Sequence, residues 1–335
     1  MHSAVVLMAT IVILALIFDF TNGFHDTATV VSTSITTRAL SPKVAIGMCA
    51  IFNFIGAFTS TAVAKTVGDG VVDSTKIPLW VIVCVLLAAI VWDLLTWYFA
   101  IPSSSTCALI GALVGGVIAL TWDINSVGWG VLFSKFVIWI FLSPLIGFVV
   151  GYVFIIILKK CLFNARPKKV NKVFQRLQIV SGILIALDHG ANDSQKSMGI
   201  ITMSLVSGGF LSTFDVPIWV IVCCATAMAL GTSIGGKKII KTMGNKVTKL
   251  DPAGGFIAQM SSSIVLFVAT ALHAPVSTTQ VMTSSIMGIG AEKSLKRVNW
   301  GMARSIMWAW IITIPAAAIL AMVFVEVVKI CMHIF

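Results

Sequence analysis

The chain of 335 residues carries little charge: Lys, Arg, Asp and Glu make up only 10% of it, where soluble domains average roughly 25%. A soluble globular fold could not clothe its surface with so few charges, so that class is excluded. No Cys-x-x-Cys pair occurs. Most of the seven cysteines (Cys49, Cys84, Cys107, Cys161, Cys223, Cys224 and Cys331) lie inside apolar runs. That excludes a disulfide framework and a zinc site, and leaves small buried hydrophobes. No P-loop is present, so ATP-driven pumping has no support. The first apolar run lacks a basic n-region and a small-residue cleavage site, so it reads as a retained span rather than a removable signal.

What the chain has is apolar length, with 58% hydrophobic residues and a mean hydropathy of +1.03. A helix needs about 20 apolar residues to cross the hydrocarbon. Apolar stretches run roughly over 4–37, 43–64, 78–100, 104–120, 129–158, 177–206, 216–236, 255–273, 280–291 and 300–331. The net charge of +11 is confined to connectors. Those at 38–43, 159–176, 237–249 and 292–297 are basic, whereas 65–77 and 207–215 carry Asp69, Asp73 and Asp215. Positive charge marks cytoplasmic loops. A nucleic-acid partner is therefore not expected, and the bases contact membrane lipid at most. Trp80, Trp122, Trp129, Trp219 and Trp300 stand near segment ends as interface anchors.

Threading the chain through these assignments puts the N-terminus outside and the 159–176 linker in the cytoplasm. Residues 78–120 then leave and return on one side, as a hairpin with its tip near Pro102. Residues 251–291 do the same from the other side, with a tip near Pro275. Landmarks repeat at near-constant offset: Gly23-Phe24-His25-Asp26-Thr27 with Gly190-Ala191-Asn192-Asp193-Ser194, the run from Pro102 with the run from Pro275, and Pro144 with Pro315. The expected fold is an all-α integral membrane protein, an inverted-repeat helical bundle with two broken helices and two re-entrant hairpins. The first repeat spans 1–158 (broken helix 4–37, hairpin 78–120), the basic linker 159–176, and the second repeat 177–335 (broken helix 177–206, hairpin 251–291).

Charged groups inside a membrane are costly, by about 2.5–3.5 kcal/mol at the centre of a span, so those present call for a reason. Asp19, Asp26, Asp188 and Asp193 fall in the two helices expected to break at glycine. Carboxylates beside unwound carbonyls suit a hard cation, and a carboxylate alone takes up a proton; capping or pairing with lysine is the plainer role. Asp26 and Asp193, at matching positions, favour coupling. Each hairpin tip has a proline, a run of hydroxyls and a new apolar helix. One N-cap accounts for one hydroxyl per tip, not three or four. Hydroxyls at a helix N-terminus, where amides and dipole also favour negative charge, suit an anion. Two tips meeting near the midplane would surround a tetrahedral oxyanion. Asp93 has no acidic counterpart in the second half, where Leu266 stands, and reads equally as a structural partner or part of the path. His189 and His273 stay open in the same way, and Glu326 reads as interfacial.

The duplicated motif and the two Ser/Thr tips resemble the inorganic phosphate transporter (PiT) family, in the short form without a large central domain. The resemblance covers essentially the whole chain. It implies a secondary symporter of the cell membrane that imports phosphate with protons or sodium, has no cofactor and no permanent metal, is not an enzyme, and pairs as a homodimer. It places phosphate among Ser103, Ser104, Ser105, Thr106, Ser277, Thr278 and Thr279, and the coupling cation at Asn22, Asp26, Asn192 and Asp193. His25 stands where the family has Asn, and Lys196 where it has Asn after the second Asp. A lysine three residues from Asp193 shares its helical face and can take the place of sodium, while His25 titrates near neutrality. Both departures point to proton coupling. Some bacterial relatives look like carriers of a metal–phosphate complex. Sulfate transport on the same architecture and an anion channel are the alternatives. A carboxylate facing the anion favours phosphate, which can donate a hydrogen bond where sulfate cannot.

Overall fold

A computed structural model of the chain describes residues 2–70, 77–101, 103–235, 240, 248 and 250–332. Asp73, Lys76, the tip residue Pro102 and most of the basic 237–249 connector lie outside the described residues. Every long element is helical: α1 (His2–Thr36), α2 (Pro42–Gly56), α3 (Ala62–Gly70), α4 (Leu79–Tyr98), α5 (Ser105–Thr121), α6 (Trp129–Cys161), α7 (Pro167–Ser207), α8 (Ile218–Ile234), α9 (Pro252–Ala271), α10 (Thr278–Lys293) and α11 (Trp300–Met332). Among the described residues, six of these (α1, α4, α6, α7, α9 and α11) are long and apolar enough to cross a membrane.

Packing follows the duplication. Helix α1 lies on α8 as α7 lies on α2; α1 on α4 as α7 on α9; α6 on α10 as α11 on α5. Each half thus completes the other, and two clusters of buried apolar side chains form, one around α4 and α5 and one around α9 and α10. Small residues let these helices touch backbone to backbone, the favoured contact where lipid tails compete with every apolar side chain. A Cβ on Gly56 would stand 2.1 Å from the Leu187 carbonyl oxygen, and one on its counterpart Gly231 would stand 2.0 Å from that of Phe20. Local details repeat as well. Trp129 Nε1 donates to the Ile124 carbonyl and Trp300 Nε1 to that of Leu295.

Three expectations need correction. The helices carrying the motifs are not broken: α1 runs unbroken for 35 residues and α7 for 41. Gly23 and Gly190 serve close packing instead, since a Cβ would meet the Met228 and Asn53 carbonyl oxygens at 2.4 and 2.1 Å. The 159–176 linker is mostly helix. Helix α6 ends at Cys161 and α7 starts at Pro167, because proline suits the first helical position and Lys and Arg are good helix formers. The stretch 43–64 is not one span either; it divides into α2 and the short α3.

Both hairpins are present, α4–α5 and α9–α10, and each turns through one non-glycine residue in the left-handed region: Ala100 at φ 55° and His273 at φ 57°. Such residues are uncommon, and these two hold matching positions. At the start of α9, Asp251 caps the helix by accepting from Gly254 N at 2.7 Å and pairs with Lys293 Nζ at 2.6 Å. Burial pushes its carboxyl up, but the Lys293 and Gly254 hydrogen bonds and the nearby ammonium charge outweigh this and hold it below the usual carboxylate range.

Candidate functional site

The chain buries a polar centre where α1, α7 and the starts of α5 and α10 converge. On α1, Asn22 and Asp26 share a face one turn apart. Ser105 Oγ, from the first tip, donates to Asn22 Oδ1 at 2.9 Å and to Asp26 Oδ2 at 3.2 Å. Thr279 Oγ1, from the second tip, donates to Asp26 Oδ1 at 3.0 Å and lies 3.3 Å from Thr29 Oγ1. One carboxylate is therefore gripped by a hydroxyl from each half. The tips also touch each other, Thr106 Oγ1 donating to the Val276 carbonyl at 3.2 Å.

The second motif gathers around Asp193. Lys196 Nζ stands 2.7 Å from Asp193 Oδ1 and His189 Nε2 3.3 Å from Asp193 Oδ2, all three buried. Asn192, its amide oriented by its hydrogen-bond surroundings, donates to the Val276 carbonyl at 3.1 Å and to Asp193 Oδ1 at 3.3 Å, and accepts from Thr270 Oγ1. Gln195 instead caps α3, its Oε1 accepting from Val63 N and Ala64 N at 2.7 and 3.1 Å.

Asp26, His189 and Asp193 come together, each with one ligand atom within 4.8 Å of the others and all buried. Two carboxylates and an imidazole, with hydroxyls beside them, suit a small cation. Sequence reasoning left His189 open. Its signal was the four-residue spacing to Asp193, which sets both on one helical face. The other ring nitrogen, Nδ1, lies 3.2 Å from Asn53 Oδ1, and Asn53 in turn donates to Thr232 Oγ1 at 3.0 Å, so a partner from α2 orients the ring.

The seven tip hydroxyls do not act alike. Ser104 and Ser277 cap α5 and α10, accepting from Cys107 N and Gln280 N. Ser103 donates to Thr96 Oγ1 at 2.8 Å. Ser105 and Thr279 face Asp26, Thr106 bridges the tips, and Thr278 Oγ1 is buried without a hydrogen-bond partner. His25 Nδ1 lies 2.9 Å from Asp26 Oδ1. Asp188 stays apart: it accepts from Ser263 and lines a cavity of about 420 Å³ with Thr59, Ser60, Thr270 and His273. Thr270 in the wall of that cavity is also the partner of Asn192. Asp19 and Asp93 are buried, and neither oxygen of either carboxylate has a hydrogen-bond partner. Glu326 pairs with Lys329 at 3.1 Å.

A helical membrane bundle that places acids, hydroxyls and one lysine at its centre belongs with transporters rather than enzymes. The model of the phosphate transporter family matches the chain twice, over residues 22–169 and 163–321, and the chain belongs to that family. It is similar to a Bacillus subtilis protein named "Probable low-affinity inorganic phosphate transporter", at 47% identity over 96% of both chains. A Rhizobium meliloti protein of the same name is 45% identical over 94% of both. Among solved structures, one titled "The sodium-dependent phosphate transporter" superposes with a TM-score of 0.90 over 97% of this chain and 99% of its own, at 22% identity, a likeness of fold. The resemblance read from the motifs is thus borne out.

Proposed function

We propose that the chain imports inorganic phosphate by alternating access, coupled to protons, with its N-terminus outside and the α6–α7 turn in the cytoplasm. The observation that carries the proton reading is the buried Lys196–Asp193 pair: an ammonium already neutralises the acid that would otherwise hold sodium. Phosphate is held where the tips meet, by Ser105, Thr106, Thr278 and Thr279, with the N-termini of α5 and α10 adding amide dipoles. Asp26 has two parts in this reading. In one state it keeps the tip hydroxyls satisfied; when phosphate arrives, it yields them and accepts a hydrogen bond from the phosphate OH. Sulfate lacks that proton, which supports phosphate as the cargo. The two halves then exchange inward-open and outward-open forms, and charge balance between co-ion and anion lets the loaded carrier cross.

A second reading rests on Asp26, His189 and Asp193: a cation, sodium or the metal of a metal–phosphate complex, travels with the anion between the two carboxylates. Radiolabelled phosphate uptake into proteoliposomes separates the two. Accumulation driven by an inward proton gradient in sodium-free buffer supports proton coupling. Accumulation that needs sodium refutes it and keeps the phosphate carrier. A requirement for a divalent metal under the proton gradient assigns the complex as cargo.

A further inference from the structure

Asp19 lies seven residues before Asp26 on α1, on the same face and about 10 Å away along the axis at 1.5 Å per residue. It is completely buried, and neither carboxylate oxygen has a hydrogen-bond partner. Across the α1–α7 contact it faces the fully buried Ser197, whose hydroxyl has no other partner and is the donor available to it. Ser197 follows Lys196 and stands one turn beyond Asp193, so this spot adjoins the buried ion pair without belonging to it. Among the described residues, the charged and titratable groups that act on Asp19 are Asp193 and Lys196 from α7 and Cys224 from α8. The single ammonium there is taken by Asp193 at 2.7 Å. An ionised carboxylate in this place would have one donor, the Ser197 hydroxyl, and no ammonium of its own, since Lys196 is paired with Asp193, and a buried group so placed is neutralised instead. The repeat offset that joins Asp26 to Asp193 carries Asp19 to Ala186. The acid thus exists in one half only, and the duplication does not require it for the fold.

We propose that Asp19 is a proton-carrying group of the transport cycle, distinct from the Asp26–Asp193 centre. This rests on the proton-coupled reading above. The loaded carrier crosses with Asp19 as the acid. After crossing, its proton goes to water on the far side, the resulting carboxylate turns to Ser197 and Lys196 for compensation, and a proton from the near side restores the acid. Because the acid form leaves less negative charge beside the site, proton and phosphate strengthen each other's binding, and they do so reciprocally.

Two measurements test this. Infrared difference spectra of the purified full chain across a pH titration should contain the C=O stretch of a protonated carboxyl that disappears in Asp19→Asn and shifts in Asp19→Glu. In proteoliposomes, Asp19→Asn should lose accumulation under a proton gradient while still exchanging phosphate for phosphate across the membrane, and Asp19→Glu should recover accumulation. Full gradient-driven accumulation by Asp19→Asn overturns the assignment, as does the absence of a carboxyl band attributable to Asp19 at any pH. Wild-type uptake that ignores the proton gradient refutes the proton-coupled reading and this role with it, whereas gradient-driven wild-type uptake with an indifferent Asp19→Asn refutes this role alone.

Discussion

Replacing Lys196 by methionine tests whether its ammonium stands in for a bound cation. The side chain is 1% exposed, and Nζ makes a 2.7 Å contact with an equally buried Asp193. Removing one member of a buried ion pair costs about 3–5 kcal/mol, because the partner's charge is left uncompensated. Lys196→Met should therefore unfold at markedly lower temperature than wild type in detergent without sodium. Replacing both partners should cost far less, since a neutral pair leaves no stranded charge: Lys196→Met combined with Asp193→Asn is expected to recover most of the loss, so that a double-mutant cycle returns a coupling energy larger than the cost of either single replacement. The cavity left by the ammonium lies beside Asp26, His189 and Asp193. Sodium should enter it and stabilise Lys196→Met by about 2.7 kcal/mol at one hundred times its dissociation constant, while wild type shows no such response. Thermal unfolding in sodium against choline chloride measures this. A single mutant as stable as wild type, unresponsive to sodium and still driven by a proton gradient, would refute the assignment.

Asp26→Asn should remove gradient-driven uptake while leaving a folded, membrane-inserted protein, because the amide oxygen still accepts from one tip hydroxyl and its NH2 can donate to the oxygen of the other; normal concentrative transport by this mutant would sink its coupling role. Gly56→Ala and Gly231→Ala should each destabilise by about 1–3 kcal/mol through forced overpacking, while Gly47→Ala, whose Cβ would meet nothing within 4 Å, should be neutral in the same melt. The lowered carboxyl of Asp251 contributes stability that is fully present above its unfolded value of about 3.9 and is lost as pH falls through its lower folded value. Asp251→Asn should therefore lower stability at neutral pH and flatten the acid limb of the stability curve; an unchanged acid limb would show that the Lys293 contact contributes nothing.

Several features were legible in sequence because they follow from the solvent. Hydrocarbon demands long apolar helices and drives charge into the connectors, so membrane class, most spans and both hairpins could be read from composition and spacing alone. The repeated motif and the Ser/Thr tips gave the family, since duplicated polar residues in apolar runs are too costly to keep without a use. Glycine was misread. In sequence, Gly23 and Gly190 look like breaks in a helix, yet their missing Cβ serves the neighbouring backbone of another half, a contact that no local pattern contains.

The composition of the centre was likewise set by tertiary contacts. Sequence offered Asp26 and Asp193 as equivalents, but packing gives them different partners: hydroxyls from both tips for Asp26, and Lys196 and His189 for Asp193. His189 became a member of the site only because α2 supplies Asn53 to orient it. Asp188, on the same helix as Asp193, was drawn instead to the cavity wall by Ser263. Sequence by itself determined which residues are too costly to bury without a purpose. Only the fold decided which of them meet, because that depends on how two interlocked halves approach each other at their glycines.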